Sequence, residues 1–413
     1  MAIHTEPLAI HGGRKTKTAP FGTGNRFGLE EAKELLEALD QNTLFYHFGS
    51  KVKTFLRNFN HLYSLKHSVA ASSGTAAIHI ALGAAGVTEG DEVITSPITD
   101  QGTVIGILYQ NAIPVFADLE PYSFNLDPAS IEKSITSRTK AIIAVHLAGV
   151  PCRMDAIMKI AEQHGLVVIE DCAQSYLAEY NGRLTGTIGH FGCFSTNDFK
   201  HISTGDGGMV AVNDEDEEVY RRAHAFADKN YSRLEETVTR KIASLAPNYR
   251  MTELQGAVGI AQLKKLPAIC GRRTELGDRL TGMIHDIKGV IPQEIPLNSV
   301  STYWFYMFRL DLEAFTCSRK EFSDALAEEG IPNQPGYIPE VLYRQPLFSE
   351  RSAYPGTHYP FSLGRPNYEA GSCPIAERIL ETAVKLPMSE FYTDLDVEEI
   401  AKAIRKVALF YQK

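Results

Sequence analysis

No window of this chain approaches the roughly eighteen uninterrupted apolar residues of a membrane-spanning helix, so none is expected. The opening stretch, Met1 to Arg14, has no apolar core of a secretory leader. Cysteine is sparse and scattered: Cys152, Cys172, Cys193, Cys270, Cys317 and Cys373 form no C-x-x-C pair. A disulfide framework or a zinc site is therefore not expected, and no metal is assigned. These features together point to a cytoplasmic protein with reduced thiols. A basic surplus is lacking too: Lys and Arg number 41 against 50 Asp and Glu, a formal net charge of −9. That argues against a nucleic-acid binder held by general phosphate attraction. It leaves room for a small anionic ligand, because a local pocket can be positive on an acidic protein. Low-complexity tracts and internal repeats are absent. The single tryptophan, Trp304, reads as core.

What is present is an ordinary globular balance, 44% hydrophobic and 22% charged, over 413 residues. That length suits two domains. A helical spacing covers 29–39. From residue 68 a rhythm begins in which short apolar runs (68–71, 92–95, 114–117, 141–147, 166–170) alternate with helical stretches (74–85, 102–110, 129–134, 154–164). Continuous apolar strands separated by helices read as a mostly parallel sheet buried on both faces. Two further strands, 191–195 and 208–212, flank a loop. Helices follow at 217–226, 252–266 and 272–287. A fresh region begins near 300, with a strand at 304–310 and helices at 320–329 and 397–410. The Pro-, Tyr-, Gly- and Ser-rich stretch 330–373 reads as a long ordered loop. The divisions expected are an N-terminal segment 1–28, a large domain 29–288 and a small domain 289–413.

Three segments could carry chemistry. Ser72-Ser73-Gly74-Thr75 lies between a strand and a helix, where unpaired N–H groups favour an anion. Taken alone it is equally an N-cap. Glu170-Asp171-Cys172-Ala173-Gln174 follows a buried strand, and acids at the carboxyl end of a parallel strand sit where open α/β sheets bind ligands. Phe194 to Gly208 places Lys200 among small and polar residues before a Gly-rich turn. Desolvation would favour the neutral, nucleophilic amine. The turn is not G-x-G-x-x-G and carries no dinucleotide fingerprint. Phosphate cradle, acid and lysine in one α/β domain are the three contacts that pyridoxal 5'-phosphate needs. The acid keeps the pyridine nitrogen protonated so that the ring can accept electrons.

The wording of these segments resembles the DegT/StrS-type sugar aminotransferases, a branch of the fold-type I enzymes. The likeness covers about residues 25–410. SSGTAAIHIAL resembles the family's phosphate turn, VIEDCAQS its pyridine-pairing segment and CFSTNDFKHISTGDGGMV its Schiff-base segment. NYRMTELQGAVGIAQL resembles its dimer-interface motif, and CPIAERILETAVKLPM its C-terminal signature. The resemblance implies a mostly parallel seven-stranded sheet flanked by helices, with a smaller α+β C-terminal domain. It implies that Lys200 carries the cofactor and shuttles the proton, that Asp171 pairs with the pyridine nitrogen and that Gln174 meets the ring hydroxyl. Ser73, Gly74, Thr75 and Ser195 would hold the phosphate. Asn248 would reach the phosphate of a second copy, which implies a homodimer with sites at the interface. The implied reaction moves an amino group from glutamate or glutamine, through pyridoxamine 5'-phosphate, to a keto-sugar or keto-cyclitol. The setting would be amino-sugar, antibiotic or surface-polysaccharide biosynthesis. The opening LAIHGGRKTKT and the segment YIPEVLYRQPLF look most like the keto-cyclitol and antibiotic-precursor branch.

One departure bears on substrate class. The family carries an aromatic residue over the cofactor ring, in segments such as P-x-F-T-F. Here the stretch is Ser96-Pro97-Ile98-Thr99-Asp100-Gln101-Gly102, with Asp100 at the aromatic position. Either Gln101 or another group covers the ring, or Asp100 serves the substrate. Tyr337, Tyr343 and Arg344 lie where the family often binds substrate. His190, where relatives often carry Asp, reads as structural; His146 reads as a core or strand-end histidine, and His201 as pointing away from the ring. Two other functions stay open on sequence alone: a dehydratase or other eliminase, against which Lys200 argues because the dehydrating members replace it with histidine, and a non-catalytic cofactor-binding regulator.

Overall fold

The computed structural model describes residues 6–234 and 244–413. Seven strands form the main sheet: β1 (His67–Ala71), β2 (Glu92–Thr95), β3 (Ile113–Phe116), β4 (Thr139–Val145), β5 (Val167–Asp171), β6 (Phe191–Ser195) and β7 (Gly208–Val212). Their order is β1-β7-β6-β5-β4-β2-β3. Only β7 runs against its neighbours; the other pairings are parallel. The runs are apolar throughout because helices cover both faces, and β2, β6 and β7 are buried at every residue. This is the architecture that the apolar rhythm predicts.

Side-chain caps start three of the helices that pack on the sheet. Ser73 accepts from Ala76 N at 3.0 Å and opens the helix Gly74–Ala84. Asp127 and Asp216 cap Pro128–Ser134 and Glu217–Ala227. Such caps satisfy N–H groups that have no partner inside the helix.

A second, antiparallel sheet follows: β8 (Val290–Pro292), β9 (Phe305–Leu310), β10 (Gln334–Pro335) and β11 (Ala383–Pro387), in the order β8-β9-β11-β10. Helices Arg319–Glu328 and Asp394–Tyr411 pack Phe322, Leu326, Val397 and Ile404 against Phe308 and Leu386. One apolar cluster is shared between the two halves, running from Ile94, Ile142 and Val168 to Phe305, Phe361 and Ile379.

Three details differ from the sequence expectations. The stretches 252–266 and 272–287 are one 32-residue helix, Glu253–Ile284, which continues through Pro267. The stretch 330–373 is not purely loop: β10, the short helix Pro346–Ser349 and three-residue turns of helix interrupt it. Phe348, Phe361 and Tyr368 anchor it, with Phe348 and Tyr368 edge-on to Phe116 at ring-centroid separations of 5.3 and 5.7 Å. Finally, a helix at Lys51–Tyr63 adds a layer. Its buried Val52, Phe55, Phe59 and Tyr63 recur at helical spacing, and the Glu253 carboxylate accepts from the N–H groups of Lys51 and Val52.

Candidate active site

The carboxyl ends of the parallel strands open into a cavity of about 290 Å³. Ser73, Gly74, Thr75, Asp100, Asp171, Gln174, Ser195 and Lys200 all line it. Four loops thus deliver the expected residues to one place.

The anion end is built by the start of the helix Gly74–Ala84. The Ser73 hydroxyl oxygen accepts in the cap and keeps its own hydrogen, so the available donors are first-turn N–H groups and the hydroxyls of Ser73, Thr75 and Ser195. Glycine is required at 74 by space: an added Cβ would lie 2.6 Å from Ser195 Cβ. Gly208 serves the same contact from behind, since a Cβ there would meet the Ser73 carbonyl oxygen at 2.4 Å. The Gly-rich turn after Lys200 therefore lets β7 abut the cradle.

Asp171 ends β5 and is 5% exposed. Its Oδ2 accepts from the Thr103 hydroxyl at 2.8 Å, and its Oδ1 from Ala173 N at 3.1 Å. Thr99 holds Thr103 in turn, oxygen to oxygen at 2.7 Å. Burial pushes the Asp171 carboxyl up; the bonds from Thr103 and Ala173 and the Lys200 charge oppose this. A cation placed beside it would find a fixed, desolvated carboxylate.

Lys200 faces the same space. Burial lowers its amine to about 8, against the opposing pull of Asp171 and Asp100. Its Nζ stands 3.7 Å from the centre of the Trp304 ring. The loop that carries it is closed by Thr196 N to Gly207 O at 2.9 Å and by the paired hydroxyls of Thr196 and Thr204 at 2.6 Å. The Arg26 guanidinium donates to the carbonyls of Asp198, Lys200 and His201.

The remaining expected residues divide between the cavity wall and positions away from it. Gln174 lines the cavity, with its Oε1 accepting from Ala148 N at 2.8 Å and its Nε2 donating to the Tyr337 hydroxyl at 3.3 Å. Tyr337 stands behind this wall, stacked on Phe305 at 5.1 Å. Gln101 is exposed and lines a neighbouring groove instead. Tyr343 is a correction: it is fully buried in the apolar cluster and donates to Glu377 at 2.7 Å, away from the cavity. Arg344 lies on the outside, within 3.9 Å of Glu340. Asn248 is exposed and contributes nothing to the cavity of its own chain. His146 ends in the core with its Nε2 3.0 Å from Glu170, whose carboxylate also accepts from the N–H groups of Gly186, Ile188 and Gly189. His190 accepts from Val168 N, and His201 turns to the Thr302 carbonyl.

Trp304 is the second correction. It is a cavity wall, not core, and its Nε1 donates to the Phe199 carbonyl at 2.6 Å. Thr103 and Arg26 are further contributors that the sequence did not mark. A β-branched hydroxyl in the first turn of a helix and an arginine in an irregular segment have no motif; their roles exist only once the chain is folded.

A lysine with a lowered amine, a buried carboxylate and an anion cradle around one small cavity define a pyridoxal 5'-phosphate enzyme. The sequence profile of the DegT/DnrJ/EryC1/StrS aminotransferase family matches residues 26–405, and the chain belongs to that family. It is 32% identical over 386 residues to the spore coat polysaccharide biosynthesis protein SpsC of Bacillus subtilis (strain 168), covering 92% of this chain and 95% of that protein. It is also 32% identical over 415 residues to a Micromonospora echinospora protein named for L-glutamine:3-amino-2,3-dideoxy-scyllo-inosose aminotransferase activity, with 98% and 97% covered. Among solved structures it resembles the aminotransferase from Psychrobacter cryohalolentis, with a TM-score of 0.84 and 29% identity over 95% of this chain and all of that one. The chain is thus a pyridoxal-phosphate-dependent sugar aminotransferase by family. Among the described residues no helix is long and apolar enough to cross a membrane.

Proposed function

We propose that the protein transfers an amino group from glutamine or glutamate to a keto-cyclitol or keto-sugar, in amino-sugar, antibiotic or surface-polysaccharide biosynthesis. The observation that carries the residue roles is the placement of the buried, depressed Lys200 amine in one cavity with Asp171 and the Gly74–Ser195 contact. When bound, pyridoxal 5'-phosphate supplies the electron sink that stabilises a carbanion next to nitrogen. Lys200 holds the cofactor and then moves the proton as general base and acid. Asp171 keeps the ring nitrogen protonated. The N–H groups of Gly74 and Thr75, with Ser195, take the phosphate, and Gln174 takes the ring hydroxyl.

A keto-cyclitol acceptor is supported by the name of the Micromonospora relative and its near-complete overlap with this chain. A homodimer is supported by Asn248, which is exposed and outside its own cavity, and by the outward Leu29, Leu36, Leu39 and Phe48. The same reading places the enzyme in the cytoplasm, with a domain division near residue 288.

The test is the visible spectrum of the protein with cofactor, followed by addition of glutamine or glutamate. A band that borohydride fixes onto Lys200, and that the donor bleaches, is expected. Lys200→Ala abolishes the fixed band and turnover. A donor-insensitive band would refute the aminotransferase assignment in favour of an eliminase or a regulator.

A further inference from the structure

One helix, Gly102–Tyr109, touches both ends of the cofactor site. At its start a Cβ on Gly102 would lie 2.5 Å from Thr75 Oγ1, so glycine lets it abut the phosphate cradle. A turn further on, a Cβ on Gly106 would lie 3.2 Å from His79 Cα, so the helix packs closely on the cradle helix Gly74–Ala84. Thr103 stands between these contacts, 2% exposed, and its hydroxyl donates to Asp171 Oδ2 at 2.8 Å. A single element thus holds the cradle and the acid in register.

What each group can give fixes the direction of the hydrogen bonds. A carboxylate only accepts, so Thr103 spends its one hydrogen on Asp171. Thr99, fully buried and 2.7 Å away, must then donate to Thr103. Among the described residues neither hydroxyl has another partner. A proton on Oδ2 would have to turn both hydroxyls round, breaking a chain in which every hydrogen is already placed. The pair therefore favours the charged acid. The ionisable groups around Asp171 do less. Lys200 and Asp100 act on it with opposite sign. Tyr337, Cys152, Cys172 and Cys193 are kept neutral by their own burial. Once Lys200 is committed to the cofactor, Thr103 and the Ala173 N–H are the donors that remain on the carboxylate.

We propose that Thr103, directed by Thr99, is a positioning residue of the transfer: it holds the Asp171 carboxylate ionised and in register with the phosphate cradle, so that the proton shared with the pyridine ring rests on nitrogen. This deepens the aminotransferase reading and rests on it. Removing the Thr103 donor makes the carboxylate more basic. The shared proton then moves from nitrogen to oxygen, and none is gained or lost.

The holoenzyme is loaded with cofactor isotopically labelled at the pyridine nitrogen, and the nitrogen resonance is recorded for wild type, Thr103→Val and Thr103→Ser. Valine keeps the branched shape and loses the hydroxyl; serine keeps the hydroxyl. Wild type and the serine variant should give the signal of a protonated ring. Thr103→Val should move it towards the neutral ring, by the equivalent of about one to two pKa units on the carboxyl, as for a hydrogen bond to a charged group. The glutamine half-reaction of Thr103→Val should slow by about tenfold to a hundredfold in kcat, with KM changed by less than about threefold. Thr99→Val, one bond further out, should move the nitrogen signal the same way by less, and it decides the matter if valine at 103 does not fold. An unmoved nitrogen signal in the valine variants overturns the proposal, even where turnover falls, and leaves the aminotransferase reading intact. A serine variant with the neutral-ring signal overturns it likewise. A wild type with no cofactor fixed on Lys200 overturns both.

Discussion

Mixing the cofactor-free protein with pyridoxal 5'-phosphate across a pH series isolates the behaviour of one amine. Only the neutral amine attacks an aldehyde. Burial lowers the Lys200 amine to about 8, the carboxylates of Asp171 and Asp100 offsetting part of the effect. At about pH 7.5 roughly one such amine in four is neutral, against about one in a thousand for an unperturbed lysine. The fold therefore supplies about two hundred times more reactive amine at neutral pH. The Trp304 ring contact favours the charged form by about 0.5–1 kcal/mol, too little to cancel the cost of burial. Stopped-flow absorbance of the visible band gives the capture rate, with Lys200→Ala as blank and a free lysine derivative correcting for titration of the reagent. The corrected rate should rise with a midpoint near 8. Asp171→Asn removes an opposing charge and should move the midpoint lower still. A midpoint near that of free lysine would refute the reasoning. The same shift has a stability consequence. Between about 8 and the ordinary lysine value the unfolded chain binds more protons than the folded one, so the Lys200 contribution to cofactor-free stability improves as pH rises through that window.

Gly74→Ala places a Cβ 2.6 Å from Ser195 Cβ. Overpacking of about 1–3 kcal/mol outweighs the helix-propensity gain of about 1 kcal/mol, so equilibrium dialysis should show at least tenfold weaker cofactor retention while the protein still folds. Lys17 is buried against Asp396 at 2.6 Å and Glu399 at 2.7 Å. Lys17→Met strands those carboxylates and should cost about 3–5 kcal/mol in denaturant unfolding. Burial alone would raise the Asp396 carboxyl, yet the Lys17 and Thr393 bonds hold it down at about 2. Its stabilisation of the wild type is therefore complete above the ordinary aspartate range and is lost as pH falls through about 2. An acid titration of unfolding should show that loss in the wild type and a smaller one in Lys17→Met, where the Thr393 and Gly22 bonds to Asp396 remain.

The main sheet was legible because strands buried on both faces are continuous apolar runs, and β1, β3 and β7 are each followed by a helix with a side-chain cap. The cofactor cradle was legible because its parts are local: Ser73 to Thr75, Asp171 to Gln174 and Ser195 to Lys200 each sit on one turn. Residues that act across the chain were not. Trp304 looks like any aromatic residue at the start of a buried strand, and only the Lys200 loop turns it into a wall. Tyr343 sits in a polar, aromatic segment that suggests a binding loop, but Phe116 and Glu377 draw it into the core. The helix Glu253–Ile284 runs on through Pro267, packed against Lys51–Tyr63 and Leu29–Asp40.

The Lys200 loop is fastened from both ends of the chain: Arg26 holds three of its carbonyls, Trp304 a fourth and Thr302 its histidine. During synthesis at about 5–20 residues per second, several seconds pass between the emergence of the lysine and that of the tryptophan a hundred or so residues later. A nascent chain thus carries its reactive amine before it owns the wall that shelters it. Ribosome-stalled chains ending before residue 304 should leave that amine water-exposed and ordinary, so vitamin loading is an event of the finished polypeptide rather than of its translation.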